Sequence, residues 1–203
     1  MSKKILLCMF LVVFSIAGFA GENGKFGLLF QADSIYSIGA SFQLSQRLSL
    51  RPTFGFNNST RDYEDAPELF SDYSTDNKNY RAALGLFYHF LEKKDISIYG
   101  GIEFGYNYGK SKLSAPFDTY VNGEYVFDEN TEIKTETFDG IAGNLIFGVS
   151  HKIGKKIALF GEIGFGYIKN KYEGKGNDSF YEYTSEDTYW SLNRSGIGII
   201  FYL

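Results

Sequence analysis

Cysteine is all but missing from this chain: Cys8 is its single representative. It falls within an N-terminal leader, so the exported chain is expected to have no disulfide, no thiolate nucleophile and no cysteine-ligated metal. Stability must then come from hydrogen bonding and packing. Proline is scarce, at 3 of 203 residues, and no Pro-rich, Ser-rich or charged linker divides the sequence, which reads as one domain. After Ala20 no apolar run approaches the roughly eighteen residues of a membrane helix, so any crossing of a bilayer has to use strands. Histidine is limited to His89 and His151. What is abundant is aromatic side chain and glycine: 16 Tyr, 20 Phe and 23 Gly. That combination suits long paired strands with close backbone approaches.

The leader begins Met1, Ser2, Lys3, Lys4, continues as an apolar run from Ile5 to Ile16 and ends Ala17-Gly-Phe-Ala20. A short basic region, an apolar stretch too short for a stable anchor and small residues at Gly18 and Ala20 predict a signal peptide over residues 1–20. The mature domain is then 21–203. Losing Lys3 and Lys4 takes the net charge from -4 to -6.

Eight segments alternate with the period of two that places side chains on opposite faces of a strand. In the first, Phe26, Leu28, Phe30 and Ala32 oppose Gly27, Leu29 and Gln31. The second runs Tyr36–Leu44, the third Leu48–Asn57 and the fourth Tyr80–Phe90. The fifth, Ile96–Tyr108, resembles the seventh, Ile157–Tyr167, in a hairpin repeat. The sixth covers Ile141–Ser150, and the eighth Arg194–Leu203. In each, one parity is bulky and apolar. The other is mostly Gly, Ser, Ala and Asn with isolated Arg or Glu. A water-exposed exterior would need many Lys, Glu and Thr, so the small mixed parity is assigned to a crowded interior and the apolar parity to lipid. Backbone groups in a bilayer must all find partners, which requires the strands to close into a barrel.

The fold class is therefore all-β: an eight-stranded antiparallel transmembrane β-barrel with short periplasmic turns and long extracellular loops. The turns are Ser45–Arg47, Glu92–Asp95 and Ile153–Lys156; the loops are Ser59–Asn79, Ser111–Phe138 and Tyr172–Thr188, with Asp33-Ser34 as an unusually tight first link. Phe54, Phe56, Tyr80, Tyr106, Tyr108 and Tyr167 are placed in an aromatic girdle on the loop side.

These features resemble the small outer-membrane β-barrel family that includes OmpX and the membrane domain of OmpA. The resemblance rests on the leader, the eight alternating segments and the closing strand Gly196-Ile-Gly-Ile-Ile-Phe-Tyr-Leu203. It implies that Phe201, Tyr202 and Leu203 carry the signal read by the barrel-assembly machinery, although relatives usually end in an aromatic and this chain ends in Leu203. It also implies location in the cell outer membrane of a Gram-negative envelope, and no peptidoglycan-binding domain is expected beyond Leu203.

Five charges share the interior parity: Arg51, Arg81, Glu103, Glu162 and Arg194. An eight-stranded barrel is filled by its own side chains, so these are expected to pair as a structural network in a plugged lumen. Register through the Glu92–Asp95 turn puts Arg81 near Glu103. An enzyme acting on lipid A would need a histidine beside a nucleophile. Ser150 and His151 are adjacent and so face opposite ways, and His89 is read as an interior filler.

The external loops hold 18 of the 24 acidic residues, against basic turns bearing Arg47, Lys93, Lys94, Lys155 and Lys156. That acidic crown argues against nucleic acid as a partner, and no spacing resembles a calcium loop. Tyr120-Val-Asn122-Gly123-Glu-Tyr125 has the Asn-Gly signature of a tight hairpin, so strands five and six are expected to continue as a ribbon suited to strand addition. The functional reading is a non-catalytic, structural envelope protein, with an adhesin or surface-ligand receptor as the alternative and a lipid A-modifying enzyme or small pore behind both. No cofactor or metal is expected. The expected partners are outer-membrane lipid and lipopolysaccharide, the assembly machinery and an extracellular protein ligand, around a monomer.

Overall fold

The computed structural model describes residues 26–33, 35–63, 73–121, 124–176 and 182–203. The expected signal peptide over 1–20 and the start of the mature chain at Gly21 lie outside the described residues. Eight strands follow one another: β1 Phe26–Ala32, β2 Tyr36–Gln43, β3 Leu48–Tyr63, β4 Tyr73–Lys93, β5 Ile96–Val121, β6 Glu124–Ile153, β7 Ile157–Gly176 and β8 Glu182–Tyr202. Each pairs antiparallel with the next, and β1 pairs with β8, so the sheet closes on itself as a barrel.

The alternation assigns the faces. Outward residues such as Leu28, Phe30, Ile102, Leu145, Phe147, Ile163 and Phe165 are exposed, while Leu29, Gln31, Phe87, Tyr99, Ile146, Phe160 and Ile200 are buried between them. Phe42 keeps the outward parity yet is fully buried, packed against Phe26 at a ring separation of 5.2 Å.

Three short turns close one end. Lys93 pairs with Ile96 around Lys94, at φ 53°, and Ile153 pairs with Ile157 around Gly154, at φ 69°. The glycine has no Cβ to strain that left-handed backbone. At the other end the long connections are largely strand. β3 and β4 pair up to Tyr63 and Tyr73, β5 and β6 up to Val121 and Glu124, and β7 and β8 up to Lys175 and Glu182. The ribbon expected from strands five and six is present, and the other two segments expected as loops are likewise largely hairpin walls continuing the barrel. Their charged residues occupy both faces, so no apolar alternation marked them.

The β1–β2 hairpin is the exception. It stops at Ala32 opposite Ile197 and at Tyr36 opposite Phe56, and Asp33 closes the link by accepting a hydrogen bond from the Ile35 amide at 2.7 Å. Among the described residues, β3 above Phe56 pairs only with β4, and β8 above Ile197 pairs only with β7.

The interior is filled by large rings lying over glycines directly across the ladder. Phe87 faces Gly101, Tyr99 faces Gly148, and Phe160 faces Gly198. A Cβ on any of these glycines would collide with the facing ring. At Gly101 it would also strike the Leu86 carbonyl oxygen, which is backbone and cannot swing away. Outward Gly161, by contrast, would meet nothing within 4 Å. Gly101→Ala is therefore expected to destabilise the barrel by about 1–3 kcal/mol through overpacking, whereas Gly161→Ala leaves urea unfolding in lipid vesicles within about 0.5 kcal/mol of the parent; equal midpoints for the two variants would contradict this account of the lumen.

Candidate functional site

Two ion pairs occupy the lumen. Arg51 on β3 reaches across the barrel to Glu162 on β7, Nη1 to Oε1 2.6 Å, with side chains 4% and 0% exposed. The Tyr99 hydroxyl donates to the same carboxylate oxygen at 2.7 Å and accepts from Arg51 at 3.3 Å. The guanidinium carbon lies 4.5 Å from the Phe87 ring centroid, 4.6 Å from that of Tyr99 and 5.4 Å from that of Phe160. The rings that need facing glycines therefore also surround the buried cation, where cation–π attraction offsets part of its lost hydration.

The second pair joins Arg81 on β4 to Glu103 on β5 at 2.5 Å, and Asn144 on β6 donates to the same Glu103 oxygen at 3.2 Å. A β-bulge sets this register. His89 opposes Tyr99 and Leu91 opposes Ile98, leaving Phe90 as the extra residue. Phe90 and Leu91 are both about half exposed, as an extra residue that resets the alternation requires. The side chain of Arg194, the fifth expected interior charge, lies outside the described residues.

Toward the short-turn end, His89 bridges two buried serines, with Ser97 Oγ 2.7 Å from Nδ1 and Ser49 Oγ 3.1 Å from Nε2. Below it opens a polar cavity of about 460 Å³ bounded by Gln43, His89, Glu92, Ser97, Lys152 and Tyr202, with Lys152 paired to Glu92 at 2.5 Å. His151 is exposed and Ser150 buried, so the two do not meet. Among the described residues no group of three or more His, Cys, Asp or Glu side chains is placed to hold a metal.

The closing residues take different sides. Phe201 is outward and meets Phe30 edge-on at 6.1 Å, Tyr202 packs inward on Leu29, Phe160 and Ile200, and Leu203 donates its amide to the Phe26 carbonyl at 3.0 Å.

Above the barrel body the ring-over-glycine arrangement recurs. Phe138 lies over Gly109, and Tyr183 lies over Gly174. Tyr183 extends across β7 to donate to Glu136 on β6, and Lys134 pairs with Glu136 at 3.2 Å while lying 4.9 Å from the Tyr183 ring. The Tyr183 hydrogen bond, then Lys134, holds the Glu136 carboxyl below its ordinary range. At the hairpin tip Val121 pairs with Glu124 and Tyr120 with Tyr125. Asn122 and Gly123, and the side chains of Tyr120 and Tyr125, lie outside the described residues. Trp190, which sequence reasoning left without a role, stacks on Phe165 and meets Tyr167 at 5.3 Å; its position opposite Tyr167 was hidden by the bulge between Gly164 and Phe165 that shifts β8.

The family described as Protein of unknown function (DUF3575) matches residues 5–203, and the chain belongs to that family. No curated protein matches it in sequence. Among solved structures it is similar to a major outer membrane protein from Thermus thermophilus, with TM-score 0.56 and 13% identity over 90% of this chain and 100% of that one. It is also similar to CarO2 of Acinetobacter baumannii (TM-score 0.45, 14% identity, 88% and 98% of the chains). A third is Ail, the attachment invasion locus protein of Yersinia pestis (TM-score 0.38, 10% identity, 89% and 95%). These neighbours are small outer-membrane β-barrels, and the chain shares the fold of the Thermus thermophilus protein.

Two outcomes follow from the geometry. Arg51→Met removes the cation 2.6 Å from the Glu162 carboxylate and is expected to cost about 3–5 kcal/mol; urea unfolding in lipid vesicles reads it, and a variant as stable as the parent would refute it. At Glu136 the depressed carboxyl value means its contribution is present above the ordinary carboxylate range and is lost as pH falls through the folded-state value. Amide exchange at Gly174 is therefore expected to be faster in Tyr183→Phe than in the parent at neutral pH, and this difference should shrink below about pH 4.

Proposed function

We propose that this member of the DUF3575 family is a non-catalytic outer-membrane barrel with a structural role in the envelope, its short turns in the periplasm and its long hairpins outside. The supporting observation is the filled lumen. Arg51, Tyr99 and Glu162 join opposite walls through contacts of 2.6 to 3.3 Å, and Phe87, Phe160 and Ile146 are buried around them. An interior of that kind is a packed core. The outward apolar belt supplies the lipid contact that such a barrel needs.

A second reading, recognition of an extracellular protein, is favoured by the β5–β6 hairpin. β4 supports β5 only up to Ser74–Ser114, and β7 supports β6 only up to Lys134–Gly176, yet the hairpin pairs on to Val121–Glu124. Among the described residues both of its edges are open beyond those points, and open edges accept an added strand.

Purified protein in planar bilayers is expected to give no large steady conductance, and cells lacking the protein are expected to lose resistance to detergent; steady channels or unchanged resistance would overturn the structural reading. Deleting 119–132 is expected to leave the barrel folded, shown by heat-modifiable mobility, and to leave detergent resistance intact. Loss of cell-surface ligand binding in that variant would establish the second reading.

A further inference from the structure

Basic side chains on the outward face of the hairpins fall into two groups. On β7 and β8 each lysine has a carboxylate: Lys169 with Glu186 at 2.9 Å, Lys171 with Glu173 at 2.7 Å and Lys175 with Glu182 at 3.5 Å. On β4 and β5 the arrangement differs. Lys78 and Lys110 stand directly opposite one another in the ladder, and the next outward pair toward the barrel body is Tyr80 with Tyr108. Lys112 stands two residues further out, opposite Asp76. Lys78 reaches Asp76 at 3.1 Å, and Asp139 lies opposite Tyr108. Among the described residues no carboxylate is paired with Lys110. Like charges directly opposite each other weaken a ladder; Asp76 offsets the Lys78 charge, and the Lys110 ammonium beside it is favoured further when an external anion lies against the pair.

Below the two tyrosines the same outward parity becomes an apolar lane of Ala82 with Tyr106, Leu84 with Phe104 and Leu86 with Ile102. Phe104 is 66% exposed and Ile102 47%. Gly143, opposite Phe104 on β6, adds no side chain, and its Cβ position would touch only Phe104, at 3.7 Å. From the hairpins downward the surface presents cations, then phenol hydroxyls, then exposed apolar side chains. That order complements the groups of an anionic amphiphile standing in the outer leaflet.

We propose that the outward face of β4 and β5 is a docking site for a phosphorylated, multiply acylated lipid of the outer leaflet. Lys78 and Lys110 share its phosphate, the hydroxyls of Tyr80 and Tyr108 hydrogen-bond its polar headgroup, and its chains lie along the Leu84–Phe104 and Leu86–Ile102 lane. The proposal rests on the outer-membrane placement above. It is distinguished from the lumen and hairpin readings because it concerns neither.

The test is native mass spectrometry of the folded full barrel in neutral detergent, offered bisphosphorylated lipid A or the same lipid after phosphatase treatment. The parent is expected to retain the phosphorylated form roughly tenfold better, and Lys78→Gln with Lys110→Gln to retain both forms at the lower level. Lys169→Gln with Lys171→Gln, on the paired β7 sector, is expected to behave as the parent. Equal retention of both lipid forms by the parent, or full retention by the Lys78/Lys110 variant, overturns the proposal. Heat-modifiable mobility reports folding of each variant. Should the Lys78/Lys110 variant fail to fold, salt titration of the parent decides: phosphate-selective retention that falls with rising salt supports the site, and salt-insensitive retention refutes it. A parent protein that enters no bilayer would instead refute the membrane placement.

Discussion

The space inside a ring of eight strands is the constraint from which most of this molecule follows. Such a ring encloses only enough volume for its own inward side chains, so a bulky group on one strand requires a small one across the ladder. Phe87, Tyr99 and Phe160 each lie over a glycine on the neighbouring strand. The charged side chains obey the same rule: Arg51 and Glu103 both stand opposite Gly85, Arg81 opposite Gly55, and Glu162 between Gly148 and Gly196. Glycine is therefore a packing residue here, and its entropic penalty in a strand is offset by the rings and ion pairs it admits. Charges confined to so narrow a space must neutralise one another, because there is no room for a hydration shell. Arg51 and Glu162 meet across the barrel for that reason, and the pair ties together walls that no ladder hydrogen bond connects.

The same rule extends beyond the barrel body. Phe138 over Gly109 and Tyr183 over Gly174 repeat the interior pattern, so the upper hairpins are continuous with the wall. They are ribbons held by ladder hydrogen bonds and cross-strand side chains. Only the β1–β2 hairpin stops short, which leaves the upper sheet with edges at β3 and β8 among the described residues. The asymmetry gives the long-hairpin end a direction: among the described residues, a continuous run of strands from β3 to β8, interrupted over β1 and β2.

Much of this was legible in the sequence because alternation is a local property. The interior and exterior parities, the strand order, the short turns and the proximity of Arg81 to Glu103 all follow from residues near each other in the chain. What was not legible depends on geometry that a period of two does not encode. The partner of Arg51 lies 111 residues away and is selected by the stagger of the closed sheet. The bulge at Phe90 shifts register without a glycine or proline to mark it, and the one beside Phe165 concealed that Trp190 faces Tyr167. The continuation of strands five and six was legible from Asn122-Gly123, whereas the walls of β3–β4 and β7–β8 were not, because charged and polar residues dominate them and their strand character comes from pairing propagated upward from the barrel. Phe42 shows the limit of parity itself, since an outward position can still be covered by a neighbouring ring.

Charge neutralisation separates scaffold from contact surface. In the lumen, Arg51 and Arg81 each have a carboxylate, as desolvation demands. On the exposed ribbons water and salt screen charges, and an unpaired lysine costs little by itself, so mere exposure says nothing about use. Placement carries more information. The β7–β8 lysines stand beside glutamates within their own sheet and leave little field at the surface. The β4–β5 lysines face one another above two tyrosines and an apolar lane, a sequence of groups that packing inside the protein does not require. Lys78 has Asp76 as a partner within the wall, so it is the placement of Lys110 opposite it, above two tyrosines and the apolar lane, that internal packing leaves without a reason.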